Sequence, residues 1–252
     1  IGVGLVGSEM CIRDSPGRMS EPKEIIEEVA KEFSSGLLAG KKVLITAGPT
    51  REKIDPVRYI SNKSSGKMGF SLAKAAVDES AIVTLISGPV TLETPERVKR
   101  IDIESAEEMK EHVTANLSDI DLFISTAAVA DFKMKNAESQ KIKKDQSKNM
   151  SLSLEKNEDI LKHVSDNNPD LKIVGFAAET ENMIDNARKK LSSKNLNLIV
   201  ANDVSDSSIG FDSNNNEVTL ITEKEELKIL KTSKEKVARK IVQFISKNIL
   251  ND

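Results

Sequence analysis

The sequence predicts an α/β fold in which a mostly parallel sheet carries helices on both faces. Short runs such as residues 43–45 are apolar throughout and rich in β-branched side chains, which is typical of parallel strands covered on both sides. These runs alternate with helical patterns such as residues 70–76, where apolar side chains recur every three or four positions. Such alternation along a whole chain indicates repeated βαβ units.

The first forty residues are predicted to lie outside this sheet. Residues 1–15 share neither period nor composition with the rest of the chain, and we interpret them as a non-native leader. Residues 16–40 are expected to form a linker helix that Ser20 caps, with an apolar stripe over residues 25–33. The main domain is therefore expected to span residues 41–252.

The loop after the first strand is predicted to hold an anion. About eighteen small, polar and basic residues come after the strand, whereas connections in α/β units usually take about 2 to 6. Ser64 or Ser65 is predicted to cap the next helix, and Gly66 and Gly69 let backbone N–H groups approach a phosphate at its N-terminus. An ordinary basic strand-to-helix turn has the same composition, so both interpretations stay open.

The remaining elements are predicted from the same two patterns. Further strands are predicted at residues 81–86, 98–103, 122–126, 173–177 and 196–200, helices at residues 66–78, 105–117, 157–164, 181–191 and 234–249, and a hairpin at residues 217–230. Residues 133–156, here called the flap, are rich in lysine and contain the alternating stretch SLSLEK. The flap is therefore expected to be a mobile segment or a hairpin.

Composition excludes several classes of function. The formal net charge of −3 argues against a general nucleic-acid binder, which concentrates positive charge on one face. Cys11 is the only cysteine, so no disulfide framework, cysteine zinc site or cysteine nucleophile is expected. His112 and His163 lie in predicted helices beside polar neighbours and are expected at the surface. No apolar run approaches the ~18 residues of a membrane span, and a cytoplasmic protein is expected.

Three predicted strand ends carry small or polar residues and are expected to meet at one edge of the sheet, where open α/β sheets bind ligands. They come after Ile45, Thr126 and Ala177, which favours a nucleotide site. A dinucleotide dehydrogenase is disfavoured because the turn after the first strand lacks GxGxxG and no acidic residue ends the second strand. A P-loop is disfavoured because SSGKMG lacks the GxxxxGK[ST] order.

Several candidate residues also have a purely structural interpretation. Asp131 suits a helix cap, and Phe176 suits either the core or contact with a nucleotide base. The lysines of the flap and of the helix at 181–191 suit phosphate contact or simple solvation, and they are Lys141, Lys143, Lys144, Lys189, Lys190 and Lys194. These alternatives stay open on residue patterns alone.

Taken in order, ITAGPTREKIDPVRYISNKSSGKMG, AAVADF, KIKK, GFAAET and AND resemble the phosphopantothenate-cysteine ligases of bacteria, normally the carboxy-terminal half of a bifunctional coenzyme A biosynthesis protein. The resemblance covers residues 41–249. It implies a Rossmann-like α/β fold with a flap or hairpin that serves dimerisation, hence a homodimer. It also implies CTP-dependent ligation of 4'-phosphopantothenate and L-cysteine through an acyl-cytidylate, with Mg²⁺ accompanying CTP. The flavin-dependent decarboxylase half has no counterpart in this sequence, so FMN is not expected.

The resemblance also implies roles for individual residues. Asn62 matches the asparagine that holds the acyl-cytidylate, Lys141 matches the flap lysine that supports its formation, and Arg58 matches an arginine beside the pantothenate site. The nucleotide-binding positions are matched by Ser64, Ser65, Gly66, Ala127, Ala128, Val129, Asp131, Lys141, Asn157, Glu158, Asp159, Ile160, Phe176, Lys190 and Lys194. Glu158 stands where proline is common, which frees φ and restores an N–H. No protein ligand is assigned to the metal.

Two rival functions are compatible with the same fold. A catalytically silent nucleotide-binding module would bind CTP without turnover, and an NAD-dependent reductase would bind nicotinamide. CTP and ATP are not distinguished with certainty by the sequence, because the contacts that recognise the base are expected to come largely from the backbone of residues 127–131.

Overall fold

We describe the protein from a computed structural model that defines residues 36–143, 150–179, 181–203 and 213–250, together with Ile25 and Val29. The chain divides into two units, residues 1–35 and 36–252. In the first unit Ile25 and Val29 are helical and exposed. The predicted leader, the Ser20 cap and the rest of the linker stripe lie outside the described residues, as do Lys144 of the flap and Thr180 of GFAAET.

The second unit alternates strands and helices along its described residues. The helices are α1 (Lys67–Asp78), α2 (Ala106–Ala115), α3 (Ile160–Asn167), α4 (Met183–Ser193) and α5 (Lys234–Ile245), the last continued by the π-helical turn Ser246–Leu250. The strands are β1 (Lys42–Ala47), β2 (Arg51–Lys53), β3 (Tyr59–Ser61), β4 (Ile82–Ser87), β5 (Lys99–Asp102), β6 (Leu122–Ser125), β7 (Phe132–Met134), β8 (Leu154–Lys156), β9 (Lys172–Glu179), β10 (Leu198–Asp203), β11 (Asn215–Ile221) and β12 (Glu226–Ser233).

The central sheet has the strand order of a Rossmann fold. Its eight strands run β12-β11-β10-β9-β6-β1-β4-β5. The strands from β10 to β5 are mutually parallel, while β11 and β12 are antiparallel additions at one edge. The chain reverses its direction of winding between β1 and β6, which makes their carboxyl ends the topological switch point of the sheet. This confirms the predicted mostly parallel α/β sheet.

Successive residues of a strand point to opposite sides of the sheet, so strands that are apolar throughout need helices on both faces. In β1 Val43 and Ile45 belong to the cluster that contains α1 and α5, whereas Leu44 belongs to the cluster formed with α2, α3 and α4. All three side chains are fully buried. Each such side chain contributes about 1.5–3 kcal/mol by leaving water, so the two aliphatic layers hold the fold together despite 3% aromatic content.

Most predicted element bounds are within two or three residues of the observed ones, and the differences have local causes. The helix expected at 157–164 begins only at Ile160, because Asp159 is its N-cap and accepts a hydrogen bond from the N–H of Lys162. The helix expected at 234–249 changes to π-helical geometry at Ser246. The flap prediction of a hairpin is confirmed, since β7 and β8 pair antiparallel.

The long loop after β1 contains secondary structure, contrary to the prediction from its composition. Its strands β2 and β3 form an antiparallel ribbon, here called the ribbon, with Arg51 opposite Ser61 and Lys53 opposite Tyr59. The guanidinium of Arg51 lies 4.6 Å from the centre of the Tyr59 ring, which adds a cation–π contact. Among the described residues, no helix combines the length and the apolar character needed to cross a membrane.

Candidate functional site

A cavity lies at the switch point and collects residues from six elements or their ends. Its lining comprises Ser64, Ser65, Gly66, Lys67, Met68 and Gly69 at the start of α1, Thr126, Ala127 and Ala128 after β6, Phe176 and Ala178 of β9, Asn202 of β10, Asn216 of β11 and Lys234 of α5. Because β9, β6 and β1 are adjacent and parallel, their carboxyl ends meet at this edge of the sheet, which confirms the predicted convergence of the three strand ends. Six of the candidate nucleotide-binding residues line this one cavity.

Helix α1 begins at the cavity without a side-chain cap. Gly66 is its N-cap, has φ 76°, a left-handed conformation that favours glycine, and makes no side-chain capping hydrogen bond. The prediction that Ser64 or Ser65 is the cap is therefore wrong; Ser64 Oγ instead accepts a hydrogen bond from the N–H of Gly66 at 3.3 Å. The first turn contains no acidic residue, so the positive end of the helix dipole faces the cavity uncompensated by a carboxylate of α1.

Gly69 allows α1 to pack directly on the strand ends. A Cβ at this position would lie 2.5 Å from both the Cβ of Ala47 and Oγ1 of Thr126, closer than real Cβ contacts. The hydroxyl of Thr126 also donates to the carbonyl of Thr46. The floor of the cavity is thus fixed by contact between the helix backbone and β1 and β6.

The backbone after β6 is held by hydrogen bonds from both sides. Asn62 Nδ2 donates to the carbonyl of Ala128 at 2.9 Å, and Asn157 Nδ2 donates to the carbonyl of Ala130 at 2.8 Å. Val129 is partly buried and packs against the core cluster that contains Leu44, whereas Asp131 is exposed and does not cap a helix. The candidate residues Asn62, Asn157 and Ala128 are therefore brought together although only Ala128 lines the cavity.

Two lysines at the end of α4 form ion pairs, Lys190 within the helix and Lys194 directly after it. Lys194 Nζ lies 2.7 Å from Oδ2 of Asp159, and Lys190 Nζ lies 2.6 Å from Oε1 of Glu179 at the end of β9. Partial burial opposes ionisation of Asp159, but the bonds from Lys194 and from the Lys162 N–H outweigh it, so the pKa of Asp159 is lowered. Both lysines are therefore ion-paired, and the side chain of Lys190 is also 45% exposed to solvent.

Glu158 and Ile160 have structural partners. Glu158 pairs with Lys110 of α2 and with Nδ1 of His163, at 2.9 Å from the latter, and the bond from Lys110 lowers the pKa of Glu158. Ile160 is 5% exposed and belongs to the core. His163 is thus paired with a carboxylate at the surface of α3.

The ribbon side of the site is dominated by a buried carboxylate that sequence patterns missed. Asp55 is 2% exposed and forms an ion pair with Arg58, whose Nε donates to Oδ2 at 2.9 Å. The bond from Arg58, helped by backbone N–H donors, overcomes desolvation and holds the pKa of Asp55 far below its usual range. The signal was present in the order Asp-Pro-Val-Arg, since aspartate before proline starts a turn by accepting N–H groups two and three residues later.

Lys141 does not line the cavity; it is exposed on the flap next to Ile142, which contacts Asp55 and Arg58. Sequence patterns also missed Lys234, the first residue of α5, which is 6% exposed and lines the cavity beside Asn216. It comes from the far edge of the sheet, more than a hundred residues after AAVADF, so no local motif identified it.

The described residues contain no group of three or more histidine, cysteine, aspartate or glutamate side chains that could hold a metal ion. Mg²⁺ in nucleotide sites is usually held by the phosphates, by water and by only one or two carboxylates. A site of this kind suits Mg²⁺ that arrives with the phosphates of the nucleotide.

The strand order and the cavity define a Rossmann-type α/β domain whose site lies at the switch point. Residues 38–249 match the family described as the DNA/pantothenate metabolism flavoprotein C-terminal domain. This match covers well over half of the chain, and the chain belongs to that family.

The relatives in this family are coenzyme A biosynthesis proteins. Over 241 residues the chain is 48% identical to the coenzyme A biosynthesis bifunctional protein CoaBC of Vibrio parahaemolyticus, covering 94% of this chain and 60% of the relative. The chain thus spans somewhat more than half the length of that protein. The crystal structure of the C-terminal domain of a CoaBC protein matches with TM-score 0.74 and 41% identity, covering 86% of this chain and all of that domain.

A more distant structure shares the fold. A Cab2 mutant in complex with phosphopantothenate-cysteine matches with TM-score 0.69 and 17% identity, covering 95% of this chain and 97% of that one. At this identity the likeness concerns the fold alone.

Proposed function

We propose that this chain is a CTP-dependent phosphopantothenate-cysteine ligase, which joins 4'-phosphopantothenate and L-cysteine in coenzyme A biosynthesis. The observation that carries the proposal is the switch-point cavity, where the uncapped start of α1 and the backbone after β6 lie side by side in a member of this family. The start of α1 suits a triphosphate, since helix N-termini bind phosphate. The backbone after β6 suits a base, since open α/β sheets bind nucleotides at this edge.

In the proposed reaction a carboxylate oxygen of 4'-phosphopantothenate attacks the α-phosphorus of CTP. The new P–O bond forms while the bond to the bridging oxygen breaks, and pyrophosphate leaves with the electron pair. The amine of cysteine then attacks the activated carbonyl, loses a proton and displaces CMP. Mg²⁺ bound with CTP would neutralise part of the triphosphate charge. Neither leaving group needs a general acid of the protein, because both depart as stable phosphate anions, and the proton lost by the amine passes to water or to the released CMP.

The protein's own contribution is placement and charge. Asn62 lies between the ribbon and the backbone after β6, so its amide is assigned to the acyl-cytidylate that forms between the two substrates. Lys141 is assigned to the negative charge that develops on the phosphates in the first step, and Arg58 to the anionic groups of phosphopantothenate. Phe176, at the cavity wall, is assigned to the base.

We also propose that the protein is a homodimer paired through the flap. Four large apolar side chains of the flap region are 39–51% exposed, and they are Phe132, Met150, Leu152 and Leu154. Leu154 begins β8 and Leu152 lies two residues before it, so both belong to the same face, as an added strand would require. Sedimentation that finds only monomer at working concentration would contradict this assembly.

The activity is tested by mixing the protein with phosphopantothenate, cysteine, Mg²⁺ and either CTP or ATP. We expect pyrophosphate release and formation of the cysteine adduct with CTP. Pyrophosphate release with ATP but not with CTP would identify ATP as the nucleotide substrate. Binding of CTP without release would favour the catalytically silent module, and absence of both would refute the proposal.

A further inference from the structure

The carboxylate of Asp55 joins the turn between β2 and β3 to the flap. Oδ1 accepts hydrogen bonds from the backbone N–H groups of Val57 and Arg58, each at 2.8 Å. Oδ2 accepts from the Arg58 guanidinium and, across 87 residues of sequence, from the N–H of Ile142 at 3.2 Å. This side chain is completely excluded from solvent, so each of these bonds is made away from competing water.

Arg58 completes the connection from the other side. Its guanidinium donates to Oδ2 of Asp55 and also to the carbonyl of Ile142 at 3.1 Å. Both backbone polar groups of Ile142 are thus held by one ion pair. The N–H of Glu138 donates to the carbonyl of Ile54 at 3.0 Å, so the flap contacts the turn at 54–58 at both ends of residues 138–142.

On the basis of the proposed function, we propose that Asp55 is a positioning residue that fixes Lys141 by holding Ile142. Through Arg58, Asp55 also couples binding of the anionic acid substrate to the position of the flap. Lys141 immediately precedes Ile142, so fixing the backbone of Ile142 limits where the lysine can point. Arg58 is 41% exposed in its side chain and offers five donors, of which Asp55 and Ile142 use only part. A carboxylate or phosphate that binds its exposed side meets a guanidinium already attached to the flap.

Glu52 provides a matched control. It is a second buried carboxylate of the ribbon, 4% exposed, and its Oε1 accepts from the N–H of Ala106 at 2.9 Å, at the start of α2. Glu52→Gln therefore disturbs the same ribbon by a change of the same kind. Asp55→Asn leaves one oxygen where two accept from the turn and the flap, and replaces the other by a donor. A role of Asp55 limited to ribbon stability predicts similar behaviour for both variants.

The experiment combines a structural and a kinetic measurement on the whole chain. Amide hydrogen exchange of Ile142 is followed by NMR, and pyrophosphate release from CTP and phosphopantothenate is followed without cysteine. In Asp55→Asn we expect Ile142 to exchange at least tenfold faster and pyrophosphate release to slow roughly 10- to 100-fold, as small misplacements of a reacting group do. CTP affinity should stay within about threefold, and Glu52→Gln should match the wild type in both measurements.

The two measurements separate the inference from the function on which it rests. Unchanged Ile142 exchange in Asp55→Asn, or equal slowing of pyrophosphate release in Glu52→Gln, overturns the inference whatever the activity of the wild type. A wild type that releases no pyrophosphate refutes the proposed function, and exchange then decides the Ile142 attachment alone. If Asp55→Asn does not fold, Ile142→Pro removes the same N–H from the flap side, with Ile142→Ala as its control. Normal pyrophosphate release in Ile142→Pro would then overturn the inference.

Discussion

The cavity wall and the ribbon side of the site contact each other but are constructed differently. The part of the wall where α1 meets the ends of β1 and β6 consists of backbone and small side chains, among them Gly66, Gly69 and Ala127. The ribbon side is held by charged groups, above all Asp55 and Arg58. The wall therefore takes its shape from the fold, whereas the ribbon side takes its shape from a few side-chain bonds over long sequence distances.

This difference matches the two demands of the proposed reaction. The cytidine part of the nucleotide is not altered in either step of the proposed reaction, so a wall fixed by the sheet suits it. The acid substrate must become activated and then accept an amine, so its side of the site needs charged groups that are held in place, as Arg58 is by Asp55. Asn62 stands at the boundary, because it comes directly after β3 of the ribbon and donates to Ala128 of the wall. Substitutions on one side alone should therefore have effects that differ from those on the other.

The largest effect is expected on the ribbon side, from Lys141→Gln. Loss of a cation that faces developing phosphate charge should slow pyrophosphate release about 10²- to 10³-fold. CTP binding, measured by calorimetry, should change less than about threefold, because the wall is intact. Lys143→Gln changes the lysine two residues further along the flap and serves as the control. A normal burst of pyrophosphate in Lys141→Gln would place Lys141 among ordinary solvated flap residues.

Changing the boundary residue should impair formation of the product much more than binding of the nucleotide. Asn62→Asp replaces the amide donor by a carboxylate next to the Ala128 carbonyl, where the two oxygens repel. We expect formation of the cysteine adduct to fall roughly 10²-fold, with CTP binding largely retained. Ser61→Ala removes a neighbouring hydrogen bond, to the carbonyl of Thr50 at 2.8 Å, and should behave as wild type. Unchanged adduct formation in Asn62→Asp would refute the role given to Asn62.

On the wall the expected effect is one of packing. Gly69→Ala would place a Cβ 2.5 Å from Ala47 and Thr126, so α1 must shift away from the strand ends. We expect the free energy of unfolding in urea to fall by about 1–3 kcal/mol, with weaker CTP binding. Lys74→Ala, on the exposed face of α1, should change the free energy of unfolding by less than about 0.5 kcal/mol. Equal stability of the two variants would show that the helix adjusts without cost.

The same difference explains how much could be predicted from the sequence. The wall was largely predictable, because apolar runs such as 43–45 and the small residues of AAVADF mark strands and their ends locally. The ribbon was not, since three-residue strands such as Arg51–Lys53 are stabilised by contacts outside their own pattern. The Asp55–Ile142 bond and Lys234 were missed for a related reason: each brings together residues far apart in sequence, and no local spacing encodes such a contact.

The smallest expected effect concerns acid stability and again separates the two sides. The pKa of Asp55 is far below that of an unfolded aspartate, about 3.9, because Arg58 and backbone N–H groups stabilise its charge. Its contribution to stability is therefore complete above that value and is lost as pH falls, since the unfolded chain then binds a proton that the folded chain does not.

Asp55→Asn removes this proton difference. Urea unfolding between pH 5 and pH 2 should therefore depend on pH by up to about one proton less than in the wild type. Glu52→Gln leaves the ion pair of Asp55 with Arg58 in place, so it should retain the part of the slope that Asp55 contributes. A slope in Asp55→Asn equal to that of the wild type would mean that the ion pair with Arg58 persists in the unfolded chain, and the rigidity of the ribbon side would then need another source.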